Sequence, residues 1–275
     1  MQRLFFVQKF AYIYIMCNLA KNMTTIIIYI LLGLAIGYIG GYAGIGGAPF
    51  MIAFLVLVMG INQFTAQGSV LTMMLGPMSL LGILTMKKEV KAQWKNIVIG
   101  VSSYAIFSYF GAQWAFILGE LDTKKYFAIM LIIIGILQLI PQLSGPDSEA
   151  KATHIPTMWM FVIGIATGII GGLFGIGAGV LMVPLFMMVF NMNKNYARAL
   201  SLAILLPPVS LGAFIKYNQQ NAIDWQIVSL LFISYFIANY LGVKQGSKAS
   251  LSSFKKYYAL LLIAIAGVYF MQTAF

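Results

Sequence analysis

The chain has 275 residues, of which 61% are hydrophobic and only 8% charged, whereas soluble domains carry about 25% charged residues. A water-soluble chain of this make-up would expose apolar patches large enough to aggregate, so the composition excludes a soluble globular protein and implies an integral membrane one. The net charge of +11 sits in short stretches between apolar runs, which reads as positive cytoplasmic loops and not as a nucleic-acid surface.

The first 22 residues carry Arg3, Lys9 and Lys21 around a short apolar run. They read either as an extra tilted membrane segment with its basic end inside or as an extension upstream of a start at Met23. No Ala-x-Ala-like site marks a cleaved signal. Apolar segments long enough to span follow at about 24–42, 63–85, 94–118, 124–141, 155–174, 197–215, 225–243 and 256–273. Two shorter ones, about 47–60 and 178–191, directly follow glycine clusters. The pattern predicts an all-α polytopic bundle, since the alternating ten-residue strands of a barrel are missing. The polar stretch QLSGPDSEAKATHIP divides the chain, giving an N-terminal segment over 1–22, a first membrane unit 23–141, a loop 142–154 and a second unit 155–275. Cys17 is the only cysteine and His154 the only histidine, so the sequence offers no disulfide framework and no metal or cofactor site.

The two units are copies. An offset of 131 positions, without a gap, pairs Gly33 with Gly164, Gly37 with Gly168, Gly44 with Gly175 and Gly46 with Gly177. It continues through Asn62/Asn193, Pro77/Pro208, Trp94/Trp225, Gly111/Gly242 and Tyr126/Tyr257. The basic stretches 86–95 and 242–256 place both of those loops in the cytoplasm. Each copy then holds five segments, an odd number, so the second is inverted relative to the first, as in many secondary transporters. By the same count residue 23 and the C-terminal tail lie outside.

The motifs GYAGIGGAPF (41–50) and GLFGIGAGVL (172–181) put glycine where helix would otherwise continue. A nucleotide loop does not fit, because no strand precedes them and no Gly-Lys-Ser/Thr occurs. Gly33, Gly37 and Gly41, with Gly164, Gly168 and Gly172, have the i, i+4 spacing that lets membrane helices approach closely. Gly44, Gly46 and Gly47, with Gly175, Gly177 and Gly179, read either as tight packing alone or as broken or re-entrant helices. Consecutive glycines each cost a helix about 1 kcal/mol, and a broken backbone at membrane depth survives only where protein or a wet cavity surrounds it. A helix restarting there offers free N–H groups and a positive dipole end to an anion.

The six acidic residues, Glu89, Glu120, Asp122, Asp147, Glu149 and Asp224, all fall in predicted loops or at segment ends. An intramembrane carboxylate for a cation or proton is therefore missing, and so is a side-chain set for hydrolysis. What remains is a carrier of a small anion, not an enzyme. Gln67, Ser69 and Thr72 in one copy, and Arg198 and Ser201 in the other, follow the breaks and would complete the site. Arg198 fits snorkelling to the headgroups as well as it fits ligand pairing. Asn62 and Asn193 read as caps, Pro77 and Pro208 as mid-span kinks, and Trp94 and Trp225 as interface anchors.

Over residues 23–275 the chain resembles the TauE/SafE family of sulfite exporters, on GGYAGIGGAPF and GGLFGIGAGVLMVP, the following TAQGSVL and ARALSLA, the IDW at 223–225 and the GVKQGSK loop. Ala178 stands where Gly47 has its counterpart, and Val70, beside Ser69, occupies the family's usual serine position. The resemblance implies export of sulfite, thiosulfate or an organosulfonate by alternating access. Two inverted five-segment repeats would do this from the inner (plasma) membrane, with lipid and a small anion as partners and a homo-oligomer compatible. A proton-coupled carrier of another small organic anion and a non-transporting membrane scaffold are the alternatives.

Overall fold

The computed structural model describes residues 2–43, 47–77, 80, 83, 93–139, 155–177, 179–192, 194–205, 208–246 and 252–274. Their secondary structure is helical. In chain order the helices are α1 (Gln2–Ala43), α2 (Ala48–Leu57), α3 (Gln63–Met73), α4 (Trp94–Leu118), α5 (Glu120–Leu139), α6 (Thr157–Phe174), α7 (Gly179–Val189), α8 (Lys194–Leu205), α9 (Leu211–Gln219), α10 (Trp225–Gly246) and α11 (Ser252–Ala274). Among the described residues four stretches are long and apolar enough to cross a membrane: Asn22–Tyr42, Thr157–Phe174, Trp225–Gln245 and Lys256–Thr273. Helix is the fold such runs must take, because lipid offers no partner to a backbone N–H or C=O. The outer faces are correspondingly greasy, with Ile117 70% and Met158 79% exposed.

The two short runs behind the glycine clusters are helices, α2 and α7, and they lie innermost. In α2 every residue except Phe54 and Leu57 is buried, and in α7 Gly179 through Pro184 are buried. At 1.5 Å per residue a ten-residue helix rises about 15 Å, half the hydrocarbon thickness. Helices that are apolar all round and this short are stable only inside a protein shell.

Two of the predicted continuous spans are interrupted. The run expected over 197–215 is two helices: α8 ends at Leu205 and α9 begins at Leu211, with Pro208 between them. In the run expected over 63–85, α3 stops at Met73 and the chain turns through Gly76 before Pro77. Proline lacks the N–H that a helix interior needs and pushes the preceding residue out of the helical region. At these sites the effect is a helix end instead of a kink. Gly44, Gly46, Ala178, Asn193, the loop 142–154 with His154, and residues 86–92 of the first basic loop lie outside the described residues.

Three helix pairs build the frame: α1 with α10, α4 with α6, and α5 with α11. The small-residue stripes are what hold the first two together. A Cβ built on Gly33 would lie 1.9 Å from Ser234 Oγ, and one on Gly164 would lie 1.9 Å from Ser103 Oγ. Ser234 and Ser103 are themselves 131 positions apart. The correspondence repeats where Gly37 meets the backbone of Tyr235 and Gly168 that of Tyr104, and where Gly41 meets Asn239 O and Gly172 meets Ser108 O. Close packing of this kind is the main attraction available between helices in lipid.

Asn62 caps α3, its side chain accepting from Phe64 N at 2.9 Å. Glu120, at the start of α5, adds a second cap by accepting from Gln63 N at 3.2 Å and from the Asn62 amide, with Lys124 Nζ at 2.8 Å. Partial burial alone would raise the Glu120 pKa. The bonds from Lys124, Gln63 and Asn62 outweigh it and hold the carboxyl below its ordinary value.

Candidate functional site

The second glycine cluster is a true break. α6 ends on Gly175, whose N–H bonds Gly171 O at 2.8 Å and whose φ of +72° is left-handed. Gly177 is also left-handed at +70°, and α7 starts two residues later at Gly179. Left-handed geometry is strained for any residue with a Cβ, so glycine is what lets the chain turn here from α6 into the buried α7.

This break lies against the first half of the chain. A Cβ on Gly175 would sit 2.9 Å from Ile52 Cδ1 and 3.0 Å from both Cβ and Cγ of Gln67. One on Gly177 would sit 2.4 Å from Met74 Cε. Met74 packs against both of the principal buried clusters, so the break stands at the seam between them. At the first break, Gly47 begins α2 with φ −118°, and its O accepts from Phe50 N and Met51 N at 3.1 Å.

The expected site side chains divide into engaged and free groups. Gln67, Ser69, Thr72 and Ser201 are all buried. Ser69 Oγ accepts from Asp224 N at 2.9 Å, and Thr72 Oγ1 donates to Gly68 O at 2.7 Å, so these two hydroxyls tie α3 to the α10 start and to its own backbone. Ser201 Oγ and Gln67 Nε2, by contrast, have no hydrogen-bond partner among the described residues. Arg198 lies on α8 three residues before Ser201, and its side chain lies outside the described residues.

Three tyrosines also belong to this region, and no local sequence pattern singles them out. Tyr104 is fully buried, its hydroxyl has no partner among the described residues, and a Cβ on Gly171 would come within 2.0 Å of it. Its mate at the 131 offset, Tyr235, accepts from Asn239 Nδ2 at 3.3 Å. Tyr217 donates to Gln67 Oε1 at 2.9 Å and lies 3.3 Å from Gly172 O. The available signal is the offset itself, which pairs Tyr104 with Tyr235 across the two copies.

A buried donor without a partner costs roughly 1–3 kcal/mol, so the Gln67 amide against the break is a candidate contact for a ligand. The buried groups without partners among the described residues, Gln63 Nε2, Gln67 Nε2, Tyr104 OH, Gln138 Nε2 and Ser201 Oγ, can all donate. Among the described residues no buried polar side chain is a carboxylate or an amine. Such an arrangement can hold an acceptor-rich, negatively charged ligand by hydrogen bonds alone.

A family model described as "Sulfite exporter TauE/SafE" matches residues 28–269. The "Probable membrane transporter protein YdhB" of Bacillus subtilis is 26% identical over 227 residues, covering 81% of this chain and 89% of that protein. A "Probable membrane transporter protein" of Methanocaldococcus jannaschii is 28% identical over 259 residues, covering 87% of this chain and 91% of that protein. One from Xylella fastidiosa is 23% identical over 240 residues, 86% of this chain and 90% of that protein. No solved structure matches the chain.

Proposed function

We propose that this chain, which belongs to the sulfite exporter TauE/SafE family, carries a small sulfur-containing oxyanion outward across the inner (plasma) membrane. The single observation that carries the reading is the helix break at Gly175–Gly179 with the buried, unpartnered amide of Gln67 packed against it. Gly44, Gly46, Gly47, Gly177 and Gly179 supply backbone N–H groups and helix dipoles to the anion's oxygens, while Gly175, whose N–H is held by Gly171 O, makes the turn that places them. Gln67, Ser201 and the remaining hydroxyl hydrogen of Ser69 add side-chain hydrogen bonds, Thr72, whose hydrogen goes to Gly68 O, lines the site beside them, and Arg198 adds charge.

The carrier works by alternating access between two inverted repeats. The support is in the pairing: the α1–α10 and α4–α6 contacts correspond under the 131 offset down to single residues. Outward movement of one negative charge from a negative-inside cell is favourable by about 2.3 kcal/mol per 100 mV, so no coupling carboxylate is needed.

The test is ligand-induced thermal stabilisation of the purified chain with sulfite, thiosulfate, sulfoacetate and, for comparison, acetate. Saturation at 100 times Kd adds about 2.7 kcal/mol to the folded state. At least one sulfur oxyanion should raise Tm in the native protein and not in Gly177→Leu. No shift with any of them, or an equal shift in Gly177→Leu, would contradict the assignment.

A further inference from the structure

The buried amide of Gln67 is held in one orientation. Its stem packs against Gly175 at the break, and the residue is 0% exposed. An amide carries an acceptor oxygen and a nitrogen with two donor hydrogens. The oxygen is taken: the Tyr217 hydroxyl donates to Oε1 at 2.9 Å. Tyr217 has a single hydroxyl hydrogen, and its contact with Gly172 O is the longer one at 3.3 Å. Tyr217 is itself fully buried and wedged against Phe116 and the backbone of Gly68, so it cannot swing away. The Nε2 end is left without a partner among the described residues.

We infer that Tyr217 is a positioning residue that locks Gln67 as a donor-only arm of the site, so that the site takes fully ionised oxyanions and rejects ligands presenting N–H or O–H groups. The inference rests on the oxyanion reading above and adds its selectivity element. An ionised sulfonate or sulfite has only acceptors, and the free Nε2–H bonds meet one of them wherever it turns. In a neutral isostere such as a sulfonamide, an NH₂ replaces one oxygen and brings hydrogens against a donor. Every pose that turns the NH₂ toward Nε2 leaves both groups unpaired, whereas the sulfonate pairs in all of them, and unpaired polar groups are how a polar site rejects a near-isostere. Without the Tyr217 hydroxyl nothing holds Oε1, and the amide can flip to accept.

The test compares binding of methanesulfonate and methanesulfonamide to the purified full-length chain by calorimetry. The native protein should bind methanesulfonate and discriminate strongly against the sulfonamide. Tyr217→Phe should lower that ratio by about tenfold, one hydrogen bond's worth. Loss of the ligand's charge weighs equally in both proteins, so the change in ratio isolates the amide. Gln67→Met should lower the same ratio, and adding Tyr217→Phe to it should change nothing further. A native protein that binds no methanesulfonate would overturn the oxyanion site itself. Binding by the native protein with an unchanged ratio in Tyr217→Phe would overturn only the role of Tyr217. If Tyr217→Phe does not fold, an unchanged ratio in Gln67→Met overturns the inference by itself.

Discussion

Replacing Gly111 by Ala tests how the helix frame is held together. A Cβ at this position on α4 would lie 2.0 Å from Ile169 O and 2.8 Å from its carbonyl carbon, both backbone atoms of α6. Normal contact is about 3.5 Å, so the two helices must separate by roughly 1.5 Å along their closest approach. Overpacking costs about 1–3 kcal/mol, and an obstacle made of backbone puts this case at the upper end. Alanine's better helix propensity returns about 1 kcal/mol, leaving a net loss near 2 kcal/mol. Gly242→Ala, whose Cβ would lie 2.2 Å from Tyr38 O in the α1–α10 pair, should lose a similar amount. Gly267 in α11 has nothing within 4 Å, so Gly267→Ala should be neutral or stabilising by up to about 1 kcal/mol. Thermal melts of the purified proteins should place Gly111→Ala and Gly242→Ala about 4–8 °C below the native chain, with Gly267→Ala at or above it. Gly111→Ala melting at or above the native protein would refute the packing argument.

Other consequences follow from single groups. Ser201→Ala removes a buried hydroxyl that has no partner among the described residues, so stability should hold or rise while oxyanion affinity falls. Calorimetry and melts on the same samples would separate the two effects. Ser69→Ala leaves Asp224 N–H without its acceptor and should cost about 1 kcal/mol, read as a lower Tm. The lowered Glu120 pKa means that its contribution is full above the unfolded value of about 4.3 and fades as pH falls through the folded value. The native Tm should therefore drop below about pH 4 more steeply than that of Glu120→Gln.

Much of the frame was legible because one offset governs both local and long-range features. Glycines at i, i+4 marked the surfaces where α1 meets α10 and α6 meets α4, since only a missing side chain permits that approach. The clusters at 44–47 and 175–179 marked where α2 and α7 must begin afresh. Less visible were the helix ends near Met73 and Leu205, because proline in an apolar run reads equally as a kink or a stop. The tyrosines were hidden for another reason. In an apolar helix Tyr104, Tyr217 and Tyr235 look like core aromatics, and only tertiary placement shows where their hydroxyls go. Long-range partners such as Asp224 for Ser69, 155 positions apart, leave no local pattern at all.

The most direct test of anion export is sulfite efflux from liposomes containing the purified chain, with an inside-negative potential imposed. Efflux should run well above that of protein-free vesicles, quicken as the potential grows, and be lost in Gly177→Leu. Efflux no faster than from empty vesicles would contradict a carrier of this kind.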